Sequence, residues 1–243
     1  MIYVVDNAQG SHFQNLFRIL TMLGCEWSEQ CQHVKFGKIL GISTRRGNMV
    51  YISDLMEEAT QIMLDNQDKS ENTRIGGEEK LENAEAVGIS ALIINDLKQK
   101  ITKDYKFSWD RALSHAGDTG VKLQYTHARL TSLLATSASS VDISDVANID
   151  TDCLTESIAV ELAYTIGRYD EILSISYATH EPHHLVQYLF TLCNTASKAL
   201  KVLQVMTAPD TNTAQARLLL FECTRKTLAE GLTILGVKPL DKI

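Results

Sequence analysis

Gly41-Ile42-Ser43-Thr44-Arg45-Arg46-Gly47-Asn48 sets two adjacent guanidiniums in a short segment closed at both ends by glycine. Glycine lets a backbone approach a ligand closely, Ser and Thr add hydroxyl and amide donors, and Arg presents a rigid fork suited to phosphate oxygens. A cationic loop of this kind suits polyphosphate chemistry, where positioning and charge stabilisation do most of the work. The same eight residues also read as a solvated basic turn, so the surrounding chain has to decide. A polar, strand-like run, Met49-Val50-Tyr51-Ile52-Ser53, follows the loop.

Upstream, residues 2–5 (Ile-Tyr-Val-Val) read as a buried strand, and Phe13, Leu16, Phe17, Leu20 and Leu23 recur at helical spacing up to Gly24. Strand, helix and basic loop together suggest the closing part of a nucleotide-binding α/β domain. A further helix spans Leu55 to Leu64, and polar, glycine-broken residues 65–80 read as a flexible surface linker. Ala84, Val87, Ala91 and Ile94 mark another helix, with burial expected over 91–94.

From about residue 121 the chain reads as helical throughout. Leu123, His127, Leu130 and Leu134 share one face, and 137–152 form a loop. Pro182 suits the first turn of a helix carrying Leu185, Leu189, Leu192, Ala196, Ala199, Leu203 and Met206. The last helix repeats the pattern with Phe221, Thr224, Leu228, Leu232 and Leu235 before Gly236 and Pro239. Four or five such helices with short joints make an antiparallel bundle. The expected fold is therefore a Rossmann-like α/β remnant over 1–116 followed by an all-α bundle over 117–243, predominantly helical.

The loop resembles the KMSKS-type signature of class I aminoacyl-tRNA synthetases, in the form found in arginyl-tRNA synthetases. Ile42 takes the Met place, Ser43 the first Ser, Thr44 the second Lys, Arg45 the second Ser, and Gly47-Asn48 the trailing Gly-Asn. The second lysine is thus missing, and Arg45 and Arg46 stand in for it. The resemblance runs in order through the chain. It takes in Ile2-Tyr3-Val4-Val5-Asp6, Gln9 with His12-Phe13, and Cys31-Gln32-His33-Val34 before Gly37. Tyr105-Lys106-Phe107-Ser108-Trp109, Gly117-Asp118-Thr119-Gly120 and Leu123-Gln124-Tyr125-Thr126-His127-Ala128-Arg129 follow, then Ala216-Arg217-Leu218 and Leu235-Gly236-Val237-Lys238-Pro239. Within that family the chain resembles the animal organellar branch.

This resemblance implies an anticodon-binding (DALR) bundle after a class I catalytic remnant. It also implies roles. Ser43, Thr44, Arg45 and Arg46 would be catalytic, stabilising departing pyrophosphate; His12, Gly41, Ile42 and Gly47 would lie at the nucleotide, and Gln9 would face arginine. Tyr125, His127, Arg129, Lys198 and Lys201 would lie along the tRNA. On sequence alone Gln9 and His12 read as surface residues near a helix start, with Ser11 the better cap, and Lys198 and Lys201 as a solvated face. In this resemblance Gln204 stands where the family has an aromatic near that helix end, so the anticodon contact made there is not carried over. The implied substrates are ATP with Mg2+, arginine and tRNA-Arg. A monomer in the mitochondrial matrix is expected, with the cytoplasm the alternative.

No His-x-Gly-His occurs, so the chain resembles the C-terminal half of such an enzyme; the alternative is a non-catalytic tRNA- or protein-binding helical module. His180-Glu181-Pro182-His183-His184 lacks the spacing of a closed zinc site, and Asp142, Asp145, Asp150 and Asp152 lack the pattern of an EF-hand. No resident metal is expected. Gly117–Gly120 reads as a tight turn, since it lacks the P-loop lysine. Hydrophobic residues at 44% and charged residues at 22% fit a globular chain, and no run of about 18 apolar residues suggests a membrane span. The start reads as a strand and not as a targeting peptide. Five cysteines spaced by 6, 122, 40 and 30 residues form neither a metal pattern nor a disulfide framework. A net charge of −7 argues against a DNA-coating protein but leaves room for a local basic face.

Overall fold

A computed structural model describes residues 1–41, 51–69, 77–114 and 116–243. Strand β1 (Ile2–Asp6) pairs in parallel with β2 (Gln32–Phe36), Ile2 opposite Gln32 and Asp6 opposite Phe36. Helix α1 (Gly10–Met22) makes the crossover. The Tyr3 ring packs on Phe13 and Phe17 at 5.1 and 5.7 Å, which fixes α1 against one face of the pair. Only that face is covered: Ile2 and Val4 are 51% and 60% exposed, so the strand expected to be buried is buried on one side alone. The period of two sends alternate side chains to opposite faces. Nor is Ser11 the cap. Asp6 Oδ1 accepts from Ala8 N at 2.7 Å, a 3-10 turn (Asn7–Gln9) follows, and α1 has begun by Gly10.

A second parallel pair joins β3 (Ile39–Leu40) to β4 (Tyr105–Lys106). Of the run expected to be strand-like, Met49 and Val50 lie outside the described residues, while Ile52 and Ser53 open helix α2 (Ile52–Lys69). Asp54 decides this. Its Oδ2 accepts from Tyr51 N at 3.2 Å, half of a capping box. Helix α2 also runs past Leu64 into the expected linker, because Gln67 turns inward and its Nε2 donates to Asn83 Oδ1 at 3.0 Å. Asn83 belongs to α3 (Glu78–Leu97), which packs along α2.

After the one-turn α4 (Trp109–Ala112), Thr119 caps α5 (Gly120–Ser137): its Oγ1 accepts from Lys122 N at 3.3 Å and donates to Ser114 O at 2.8 Å. Helices α6 (Ser157–Gly167), α7 (Tyr169–Thr179), α8 (His183–Val202) and α9 (Thr211–Ile234) complete the bundle. Pro182 is the N-cap of α8 and so precedes its first turn. The α8 stripe is buried from Leu185 to Leu203, but Met206 is 59% exposed. The helix stops at Val202 and the chain turns away at Leu203, so helical spacing no longer carries residue 206 inward. All five cysteines are free thiols; burial pushes the Cys193 thiol up to about 12.

Two apolar cores result. The larger gathers Leu123 and Leu130 of α5 with Leu162, Leu189, Phe190, Phe221 and Leu228. The smaller holds Ala59 and Met63 of α2 against Ala84, Val87 and Ala91 of α3, with Val121. Helix α3 belongs to both, through Ile94 and Ala91 respectively. A fully buried Leu contributes about 1.5–3 kcal/mol, so the α5–α9 core carries most of the stabilisation.

Candidate functional site

The carboxyl end of β1 presents the first cluster. The Asp6 turn lifts Gln9 and His12 into solvent at the start of α1, with the His12 ring edge-on to the buried Phe13 at 5.5 Å. From the neighbouring β2, Lys35 reaches over the same helix start: a side chain built on Gly10 would meet its Nζ at 3.4 Å. Gln9, His12 and an ammonium therefore share one sheet end, where open parallel sheets place their ligands.

Of the basic loop, Gly41 is described and Ile42, Ser43, Thr44, Arg45, Arg46 and Gly47 lie outside the described residues. Its two anchors are defined. Gly41 takes φ +72 at the end of β3 and lies against the Lys106 side chain, a left-handed conformation that suits glycine. The exit at Tyr51 is tied to Asp54 at the head of α2.

A cleft of about 560 Å³ lies between the sheets and α3, lined by Val4, Asp6, Lys38, Asp96, Lys100 and Tyr105, among others. Sequence reasoning missed it. Lys100 and Lys103, three residues apart and both lining it, were the available signal. Tyr105 donates its hydroxyl to Asp96 Oδ1 at 2.8 Å, and burial holds that hydroxyl's pKa well above its usual range. Lys98 is depressed by burial and donates to Asp118 O at 3.1 Å, joining α3 to the turn before α5. A second cleft of about 610 Å³ is lined by Gln14, His33, Lys35, Thr179 and His180; neither Gln9 nor His12 lines it. In that corner Glu181 Oε2 accepts from Ile101 N at 3.0 Å and pairs with His183 Nδ1 at 3.1 Å. The described residues hold no group of three His, Cys, Asp or Glu side chains arranged to bind a metal.

On the bundle, Tyr125 and Arg129 stand one turn apart on the exposed side of α5. Lys122 Nζ donates to Asn194 Oδ1 at 2.6 Å, which lays that side of α5 beside α8. Lys198 and Lys201 are exposed further along α8. His127 is different. It is 1% exposed, and its Nδ1 is paired with Leu240 O at 2.8 Å, so the expected contact with RNA is sterically closed to it. The four-residue step from Leu123 had already placed it on the inner face.

Gln124 is the residue that sequence reasoning passed over. It is fully buried and all its amide bonds are used: Nε2 donates to Ser90 Oγ at 2.8 Å and Lys238 O at 2.7 Å, and Oε1 accepts from Leu240 N at 3.0 Å. Asn83 Nδ2 extends the stitching to Lys242 O at 2.6 Å. Residues 237–243 are thereby fixed along α5 and α3. At the other end of α8, Arg217 of α9 donates Nη1 to Gln204 O at 2.7 Å and pairs through Nη2 with Glu156, the N-cap residue of α6. The Arg217 guanidinium holds the Glu156 carboxyl below its ordinary value.

Residues 1–109 match a family described as tRNA synthetases class I (R), catalytic domain, and residues 123–243 match the DALR anticodon binding domain. Among curated proteins, the probable mitochondrial arginine–tRNA ligase of Homo sapiens is 42% identical over 243 residues, all of this chain and 41% of that protein. The mouse counterpart is 43% identical, and the cytoplasmic arginine–tRNA ligase of Saccharomyces cerevisiae is 38% identical over 40% of its length. Of solved structures, the Thermus thermophilus arginyl-tRNA synthetase superposes with a TM-score of 0.85 at 26% identity, covering all of this chain and 41% of that one. The Plasmodium falciparum enzyme gives 0.84 at 26% identity over the same shares. The chain thus spans about two fifths of the length of the relatives it matches. No helix among the described residues is long and apolar enough to cross a membrane.

Proposed function

We propose that this chain, which belongs to the arginyl-tRNA synthetase family, supplies the signature loop and the anticodon-binding bundle of an arginine–tRNA ligase. Its working division is 1–116, which serves activation, and 117–243, which serves tRNA. In the complete reaction ATP, carried with Mg2+, converts arginine to an adenylate and releases pyrophosphate. A terminal ribose hydroxyl of tRNA-Arg then attacks the acyl carbon and AMP leaves. Ser43, Thr44, Arg45 and Arg46 stabilise the departing pyrophosphate, mostly by electrostatics. His12, Gly41, Ile42 and Gly47 line the nucleotide and Gln9 faces arginine. Tyr125, Arg129, Lys198 and Lys201 meet tRNA phosphates and bases, and His127 acts only through residue 240.

The observation that carries this reading is the loop's anchoring. Its entry leaves β3 at a left-handed glycine and its exit is capped at the head of α2, in a chain that also carries the bundle. The mitochondrial matrix is the proposed compartment, on relatives named mitochondrial at 42% and 43% identity, with the cytoplasm as the alternative; a monomer is the proposed state. The second reading, a non-catalytic binding module, draws on the concentration of both cores outside residues 1–41. Filter binding with tRNA-Arg and with the same transcript carrying a changed anticodon tests the function. Tighter binding of the cognate transcript is expected, and equal binding of the two would sink the proposal.

A further inference from the structure

Residues 237–243 form no helix or strand, yet they touch elements from both halves of the chain. Side chains grip their backbone. Gln124 Nε2 donates to Lys238 O at 2.7 Å, and Gln124 Oε1 accepts from Leu240 N at 3.0 Å. His127 Nδ1 pairs with Leu240 O at 2.8 Å, and Asn83 Nδ2 donates to Lys242 O at 2.6 Å. Gln124 and His127 belong to α5 and Asn83 to α3. Leu240 and Ile243 also pack onto the smaller core. That core is thin: of its seven buried side chains among the described residues, three are alanines, and only Met63 and Leu113 are large. Stabilisation scales with the apolar area buried, so α2 and the first half of α3 depend on what this segment adds. The second half of α3 does not. It meets α5 backbone to backbone at Gly120, where an added β-carbon would lie 2.3 Å from Ser90 O, and its Ile94 sits in the larger core.

From this unequal anchoring we infer that residues 237–243 act as a strap. Docked, they hold α2 and the first half of α3 against the bundle; when they lift, those helices open with them as one unit while α5–α9 stays folded. The break falls near Ser90, where the close contact with Gly120 begins. Helix α2 moves with α3 because the two meet tightly: an added β-carbon at Gly88 would lie 3.1 Å from Ala59 C. Asn83 ties both to the strap, since its Oδ1 accepts from Gln67 Nε2 of α2 at 3.0 Å while its Nδ2 holds Lys242 O. Proteins open in such cooperative units, and the least stable unit is the one with the fewest buried apolar contacts. The strap falls within residues 123–243, which match the anticodon-binding domain, and the helices it holds fall within residues 1–109, which match the catalytic domain. One domain thereby latches the other. The inference stands independently of the ligase reading.

Native-state hydrogen exchange, read by mass spectrometry on the intact 243-residue chain, tests it. Leu240→Pro removes the N–H that Gln124 Oε1 accepts and alters no helix. Gln124→Met keeps the bulk of the side chain but removes its bonds to Ser90, Lys238 and Leu240. Each variant should speed exchange across 59–67, 80–88 and 237–243 by at least about tenfold, while peptides of α8 and α9 stay within about twofold of the parent. If Gln124→Met does not fold, Leu240→Pro alone decides. Lys242→Ala is the control: the strap is held there by its carbonyl and not by the exposed side chain, so exchange should stay at the parent rate. Faster exchange confined to 237–243 would overturn the inference, because the strap would then hold nothing. Faster exchange spread equally over α8 and α9, loss of protection in Lys242→Ala, or no change with Leu240→Pro would overturn it as well.

Discussion

Gly120→Ala should separate α3 from α5. A β-carbon at position 120 would lie 2.3 Å from Ser90 O, 2.6 Å from Ser90 C and 2.9 Å from Ala91 Cα, all backbone atoms of a helix that cannot yield locally. A carbon–oxygen contact settles near about 3.3 Å, so the two helices must part by roughly 1 Å. A gap of that size forfeits about a quarter to a half of the dispersion energy along the interface, and overpacking typically costs about 1–3 kcal/mol. Separation also stretches the bond from Gln124 to Ser90, leaving a fully buried amide partly unsatisfied at about 1–3 kcal/mol. The lower backbone entropy of alanine returns at most about 1 kcal/mol. The net loss is about 2–4 kcal/mol, which for a chain of this length lowers Tm by roughly 5–15 °C. Thermal unfolding by circular dichroism at fixed concentration measures it. Gly167→Ala is the control, because nothing lies within 4 Å of its added carbon. A Gly120→Ala melting point within about 2 °C of the parent would refute this account of the helix contact.

Three further outcomes are expected. With the loop joined to a complete class I catalytic domain, Arg45→Ala plus Arg46→Ala should slow arginine activation by roughly 10²–10³ while leaving arginine affinity little changed; pre-steady-state exchange reads both. Lys198→Glu with Lys201→Glu should weaken tRNA binding and flatten the log-affinity against log-salt slope by about 0.7–0.9 per lost phosphate contact, with helicity retained. For Glu156 the sign follows from its depressed folded pKa. The Arg217 pair stabilises the protein above the ordinary carboxylate value of 4.5 and is lost as pH falls through the folded value. Glu156→Gln should therefore cost about 1–2 kcal/mol near neutral pH, after allowing for its partial exposure, and nothing extra in acid; urea titrations at two pH values check this.

Where a helix has one dry side the sequence declared it. The four-and-three steps from Leu185 to Leu203 reflect a face turned wholly to the core, and the burial of Ala84, Val87, Ala91 and Ile94 was legible for the same reason. Periodicity failed at ends. It carried Met206 past the stop at Val202, and it ended α2 too early, because the inward turn of Gln67 depends on Asn83, sixteen residues away. At the site, Gln9 and His12 came forward through the family resemblance; on sequence alone they read as surface residues near a helix start. The resemblance set His127 along the tRNA with Tyr125 and Arg129, although its own spacing from Leu123 put it inside. Nothing local announces Gln124, whose partners Ser90, Lys238 and Leu240 are 34, 114 and 116 positions distant.

Because α3 belongs to both cores, it acts as a lever. A helix of twenty residues is about 30 Å long, so a tilt of about 5° moves one end by roughly 2.6 Å relative to the other. Its later half is gripped by the bundle through Ile94, while its earlier half carries α2 through Ala84 and Val87. The head of α2 is the point from which the basic loop departs backwards along the chain. Any tilt of α3 is therefore shared with α2, which packs along it.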